Sequence, residues 1–122
     1  MSDFGFEDLD VWQKAVEFSN KVILLVENIN ANRKHFRLFE QLEASSTSVA
    51  LNIAEGKGRY SKKEFIQFLY VARGSLYETV ALLIIFQRNE WINEVQLAEC
   101  KSSAIEISTM LSSLIQSIKK SL

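Results

Sequence analysis

Apolar residues recur along the chain at alternating steps of three and four, in four blocks separated by short polar breaks. That spacing predicts helices that each bury one face. The first runs from about Asp8 to Asn28 and carries two stripes, one of Leu9, Trp12, Val16, Ile23 and Val26, the other of Val11, Ala15, Phe18, Val22, Leu25 and Ile29. At about 100° per residue the two together cover an arc of roughly 200°. That is more than two bundle neighbours require, so Val11, Phe18, Val22 and Leu25 are expected to form a subunit interface. Asparagine-rich Asn28–Asn32 breaks the pattern. The second helix is predicted from about Arg33 to Glu55, with a seam of His35, Phe39, Leu42, Ser46, Val49 and Ile53. The third spans about Lys62 to Gln87 through Phe65, Leu69, Ala72, Leu76, Thr79, Leu83 and Phe86. The last follows Asn93 to about Lys120 through Ala104, Ile107, Leu111, Leu114 and Ile118. Short breaks between long helices predict an all-α, antiparallel, up-down-up-down four-helix bundle, with residues 1–122 as one domain.

The corner between the second and third helices holds the densest local signals. Gly56 and Gly58 can take left-handed angles that end a helix. Ser61 and Glu64 have the spacing of a capping box, as do Asn93 and Gln96 before the last helix. Gly74 lies inside the third helix, where a tight crossing against a neighbour would compensate for its low helix propensity. Lys57, Arg59, Lys62 and Lys63 surround Tyr60 on this corner, a combination suited to contacting phosphates and stacking one base.

Composition narrows the picture. The chain has no proline, four glycines and 48% apolar residues, which suits long helices around a real core and excludes disorder. A lone cysteine, Cys100, cannot form an internal disulfide and fits a reducing cytoplasm. The acidic first eight residues lack the apolar core of a secretory signal, and no uninterrupted apolar run approaches the ~18 residues of a membrane span. The formal net charge is −1, which argues against a dedicated nucleic-acid binder as a whole. Its distribution is uneven: residues 1–30 carry −4 and residues 31–63 carry +4.

Chemistry is sparse. The one histidine, His35, has no carboxylate three residues before it, so the di-iron pattern of bundles is missing, and zinc is no better served. No base is marked for Cys100 as a nucleophile, and Gly56-Lys57-Gly58 is too short for a phosphate loop. No catalytic site, metal, cofactor or small-molecule substrate is expected. Asn52 with Glu55, and Ser75 with Glu78, lie three residues apart on the paired helices and are expected to form a structural polar network fixing helix register.

Leu9-Asp10-Val11-Trp12-Gln13-Lys14-Ala15, Gln41-Leu42, Ser48-Val49, Asn52-Ile53-Ala54-Glu55-Gly56, Ser61, Glu64-Phe65, Phe68-Leu69, Ala72, Gly74-Ser75 and Glu78 run in order over most of the chain. In this the sequence resembles the bacterial four-helix bundle family of proteins encoded in intervening sequences of large-subunit ribosomal RNA genes, which includes accessory proteins of diversity-generating retroelements. The resemblance implies the bundle and suggests a homo-oligomeric ring of five copies; the lack of a catalytic cluster makes the expected protein non-enzymatic. It departs at Glu43-Ala44-Ser45, where the family often has Arg-Ala-Ala, and in lacking a proline before the second helix. The retroelement accessory proteins look strongly basic and this chain does not, which favours the ribosomal RNA branch. The function expected is a homo-oligomeric scaffold binding RNA or a nucleoprotein weakly through Lys57, Arg59, Tyr60, Lys62 and Lys63. The alternatives are a protein–protein module or a reverse-transcriptase accessory protein.

Overall fold

A computed structural model describes residues 2–30 and 35–122 of the chain. A short 3-10 turn, Gly5–Asp8, leads into α1 (Asp10–Glu27), α2 (Phe36–Lys57), α3 (Lys62–Arg88) and α4 (Glu94–Lys120). The expected start of the second helix at Arg33 lies outside the described residues. Each helix packs on the next and α1 closes on α4, giving the antiparallel four-helix bundle.

Local chemistry fixes the ends. Ahead of α1, the Glu7 carboxylate accepts the Phe4 N–H at 2.8 Å, and Phe6 meets Trp12 edge-on at 4.9 Å between centroids. At the start of α3, Ser61 Oγ accepts the Glu64 N–H at 3.1 Å and donates to the Glu64 carboxylate at 3.2 Å. The box expected there is therefore half made, because the carboxylate is taken by the hydroxyl. At α4 both halves form: Asn93 Oδ1 accepts the Gln96 N–H at 2.8 Å, and Gln96 Oε1 accepts the Asn93 N–H at 2.9 Å. The end of α3 is a Schellman motif. The Glu90 N–H reaches the Gln87 carbonyl at 2.9 Å, and the Trp91 N–H reaches that of Phe86 at 3.0 Å. Glu90 sits in the left-handed region at φ 63°, a position that glycine usually fills. The Trp91 and Phe86 rings pack edge to face at 5.0 Å across the motif.

The core corrects one expectation. Val11, Phe18 and Val22 are 4%, 1% and 0% exposed within a single chain, and Leu25 is half-buried against the same core. They belong to the bundle interior, so these four residues do not form the subunit interface assigned to them. The wide apolar arc has a simpler cause: α1 lies between α2 and α4 and packs on both.

The glycines are corrected as well. No glycine has a positive φ; Gly56 stays inside α2, and Gly58 caps it at φ −81°. Gly56 is needed for space. A Cβ there would meet Phe68 Cβ at 2.5 Å and Phe65 Cδ1 at 3.1 Å. Gly74 is the opposite case: it faces out, and a Cβ would meet nothing within 4 Å. The tight crossing is thus at Gly56, where α2 meets the first turns of α3. Finally, α3 is long and apolar enough by length and composition to cross a membrane, although only 33% of that stretch is buried in the bundle. Counting uninterrupted runs missed it, because single charges at Arg73 and Glu78 divide the segment.

These placements predict opposite signs for the same substitution. Gly56→Ala loses about 1–3 kcal/mol through overpacking. Gly74→Ala gains about 0.5–1 kcal/mol from helix propensity. Urea unfolding followed by circular dichroism reads both; equal effects would show that the two glycines share one role.

Candidate nucleic-acid interface

The five residues singled out on the α2–α3 corner do not act as one group. Arg59 pairs with Glu55 one turn back at 3.8 Å and lies over the Phe68 ring at 4.7 Å from its centroid. Lys57 lies 5.8 Å over the Phe65 ring, with its stem beside Gly5 of the N-terminal turn. This half of the corner therefore has acidic and aromatic groups of its own chain beside its cations, while Lys57 and Arg59 both stay exposed. Lys62 points the other way, donating to the Ser121 carbonyl at 3.2 Å and its hydroxyl at 3.1 Å. Tyr60 is fully exposed and Lys63 is exposed.

The antiparallel fold brings the end of α4 beside this second half. Lys119 Nζ donates to the Tyr70 phenol oxygen at 2.9 Å. Its ammonium lies 5.5 Å from the Tyr70 ring centroid, and the Arg73 guanidinium 4.9 Å. The hydrogen bond from Lys119 lowers the Tyr70 pKa below the ordinary phenol value, burial opposes this, and the charges of Lys119 and Arg73 lower it further. None of Tyr70, Arg73 and Lys119 was singled out from the sequence. Tyr70 follows Lys63 by two turns and Arg73 is one turn further, so that part of the face was readable; Lys119 needed the fold.

The polar network between α2 and α3 forms with different members. Ser48 and Ser75 share a hydroxyl hydrogen bond at 2.9 Å, and Asn52 Nδ2 donates to the Ser48 hydroxyl at 2.9 Å. One turn away, Thr79 Oγ1 donates to Ser45 Oγ at 2.8 Å in the core. Asn52 and Ser75 thus belong to it as expected. Glu55 and Glu78 do not: both are exposed, Glu55 on Arg59 and Glu78 at 3.4 Å from Gln41 Nε2. A step of three residues turns a side chain by about 60° away from its starting line, enough to carry these carboxylates out to solvent. Among the described residues, no buried side-chain nitrogen or oxygen lacks a partner.

The outer line of α3 is Glu64, Gln67, Val71, Gly74, Glu78, Ala81, Ile85 and Arg88, and every one is exposed. It keeps the alternating three-and-four step of a packing seam while facing solvent, with Gln41 of α2 reaching it at Glu78. Beside it runs an apolar groove of about 340 Å³ between α3 and α4, lined by Tyr77, Val80, Ile84 and Ile105 among others.

The remaining candidate side chains are structural. His35 packs against Trp91 with ring centroids 4.6 Å apart and the planes tilted by 37°, in a cluster with Phe39 and Phe86. Cys100 is buried, and that burial pushes its thiol pKa up, with Lys21 opposing and Glu99 adding to the shift. A thiol raised in this way is a poor nucleophile at neutral pH. Among the described residues, no three His, Cys, Asp or Glu side chains come together to hold a metal.

Fold and surface together define a small helical bundle whose one end carries cations in two groups, one on each side of the α2–α3 corner. The chain belongs to the 23S rRNA-intervening sequence protein family, whose model matches residues 7–113. It is similar to the crystal structure of a protein of unknown function from the S23 ribosomal protein family of Bacteroides thetaiotaomicron VPI-5482. The two are 30% identical with a TM-score of 0.80, over 86% of this chain and 97% of that one. No curated protein matches the chain.

The Tyr70 geometry makes a direct prediction. Lys119→Met removes both the donor and the nearer charge, so the phenol pKa rises toward its ordinary value. Titration of the tyrosine resonances by NMR reads the shift at Tyr70, with Tyr60 and Tyr77 as internal controls; an unmoved Tyr70 would show that the Lys119 contact does not persist in solution.

Proposed function

We propose that the protein is a non-enzymatic, self-associating helical scaffold that holds a nucleic acid or nucleoprotein weakly at its basic end. The observation that carries the self-association is the outer seam of α3. Between Gln67 and Ile85 its only charged residue is Glu78, and its middle is small and apolar: Val71, Gly74, Ala81 and Ile85. A helix line of this kind left in water is unusual for a monomer. Its ends carry opposite charges, Glu64 at one and Arg88 at the other, which suits a helix of a second copy running antiparallel to it. Small residues at Gly74 and Ala81 allow the backbones to approach. Such a contact joins two copies about a two-fold axis, and the ring of five expected from the resemblance needs in addition a head-to-tail contact between different surfaces.

The nucleic-acid part rests on the open cations beside the α2–α3 corner. With an overall charge of −1, affinity depends on their local clustering and on repetition around an assembly. The pairing of Arg59 with Glu55 at the corner favours a second reading, a module that binds only protein.

Multi-angle light scattering tests the scaffold. Wild type is expected as an assembly of several chains, five by resemblance. Val71→Lys together with Ala81→Lys is expected to give monomer with its helical circular dichroism retained, since both side chains already face solvent in one chain. A wild-type monomer at micromolar concentration overturns the proposal.

A further inference from the structure

We infer that Lys62, Lys63, Tyr70, Arg73 and Lys119 form a site for the phosphodiester backbone of a nucleic-acid strand, displaced from the corner onto the α3–α4 side of the bundle. The inference rests on the nucleic-acid part of the reading above and names the surface that serves it.

The first argument is charge without compensation. The ion pairs among the described residues are Lys14 with Glu17, Lys14 with Glu106, and Arg59 with Glu55. None involves Lys62, Lys63, Arg73 or Lys119. The acid-rich N-terminal turn packs on α1 and α2, on the side of Lys57. The acids of that turn therefore lie on the other half of the basic end, and the exposed Glu64 is the carboxylate next to Lys63 on this one. The charges acting on the Tyr70 phenol are those of Lys119 and Arg73, both cationic.

The second argument is shape. Lys62 to Arg73 covers about 16 Å of α3 at ~1.5 Å per residue, room for about three phosphates of an extended strand. The Arg73 guanidinium can take two phosphate oxygens at once, while the lysines act as point charges. Lys62 is held by a hydroxyl and a carbonyl, neutral acceptors that a phosphate can replace. The Tyr70 ring is occupied by cations and cannot stack a base, but Tyr60 beside Lys62 is fully exposed and can. No side chain in this set is arranged to read base edges, so the strand is held without regard to sequence, RNA and DNA alike.

Fluorescence anisotropy with labelled single-stranded RNA and DNA of equal length, across ~50–200 mM salt, tests this on the full chain. Wild type binds both. Arg73→Gln with Lys119→Gln weakens binding roughly tenfold at low salt and flattens the slope of log affinity against log salt by about 1.4, or ~0.7 for each lost phosphate contact. Lys57→Gln with Arg59→Gln stays within about twofold of wild type. Bound strand also draws the Tyr70 phenol pKa back up, because phosphate screens the two cations beside it. If the Arg73/Lys119 variant binds like wild type while the Lys57/Arg59 variant does not, this surface is wrong and the corner itself is the site. Binding of RNA but not DNA overturns the phosphate-only contact. An unmoved Tyr70 titration on binding overturns the placement of the strand. No binding at ~50 mM salt removes the nucleic-acid reading altogether, while the scaffold reading is decided separately by light scattering.

Discussion

The close approach of α2 and α3 is the constraint on which the rest of the bundle depends. Gly56 lets α2 run against Phe65 and Phe68 with no side chain between. From there the two helices stay near enough for the Ser48–Ser75 and Ser45–Thr79 hydroxyls to bond directly. Short side chains are what make such bonds possible, and the bonds in turn satisfy groups that burial would otherwise leave unpaired. A slide of α2 along α3 by one turn would break both bonds and drive Phe68 into a position that has a Cβ. Register is thus set by one missing side chain and two hydroxyl pairs, while the surrounding apolar seams supply most of the stabilisation.

That register decides what the surface can do. With α2 and α3 locked, the corner between them has one orientation, and α4 returns to end beside the first turns of α3. The bundle's basic end is divided by this arrangement. Arg59 and Lys57 turn toward Glu55, the aromatic rings and the N-terminal turn, whereas Lys62 turns toward Ser121 at the end of α4. A linear count of charge across residues 31–63 sums groups that the fold separates.

Much of the fold was legible because helical periodicity, capping residues and break lengths all point to one answer. The seam of α3 was read residue by residue, and Asn93 with Gln96 made the box its spacing predicts. Where the reading failed, the signal was two-sided. A glycine in a helix can mark a crossing or an exposed position, and sequence alone gave Gly74 the role that belongs to Gly56. A broad apolar arc can serve a second subunit or a second neighbour, and Val11, Phe18 and Val22 serve the neighbour. In the polar network, Asn52 and Ser75 were found, but Ser45, Ser48 and Thr79, which form its centre, were not; Thr79 was read as one more member of the α3 seam. The open cationic surface was half visible, since Tyr70 and Arg73 continue the face of Lys63; Lys119 lies 49 residues from Tyr70 and could be joined to it only by the fold.

The α2–α3 pairing also bears on the order in which the chain can assemble. Its side-chain bonds close segments of 27, 34 and 37 residues, whereas the Lys21–Ser103 bond between α1 and α4 closes one of 82. Closing the longer segment first carries about 1 kcal/mol more loop entropy than closing the shortest. The hairpin of α2 and α3 also carries its own alignment marks and needs nothing from α1 or α4 to choose them. It is the cheaper first step, and the two outer helices then add to a template whose spacing is already fixed.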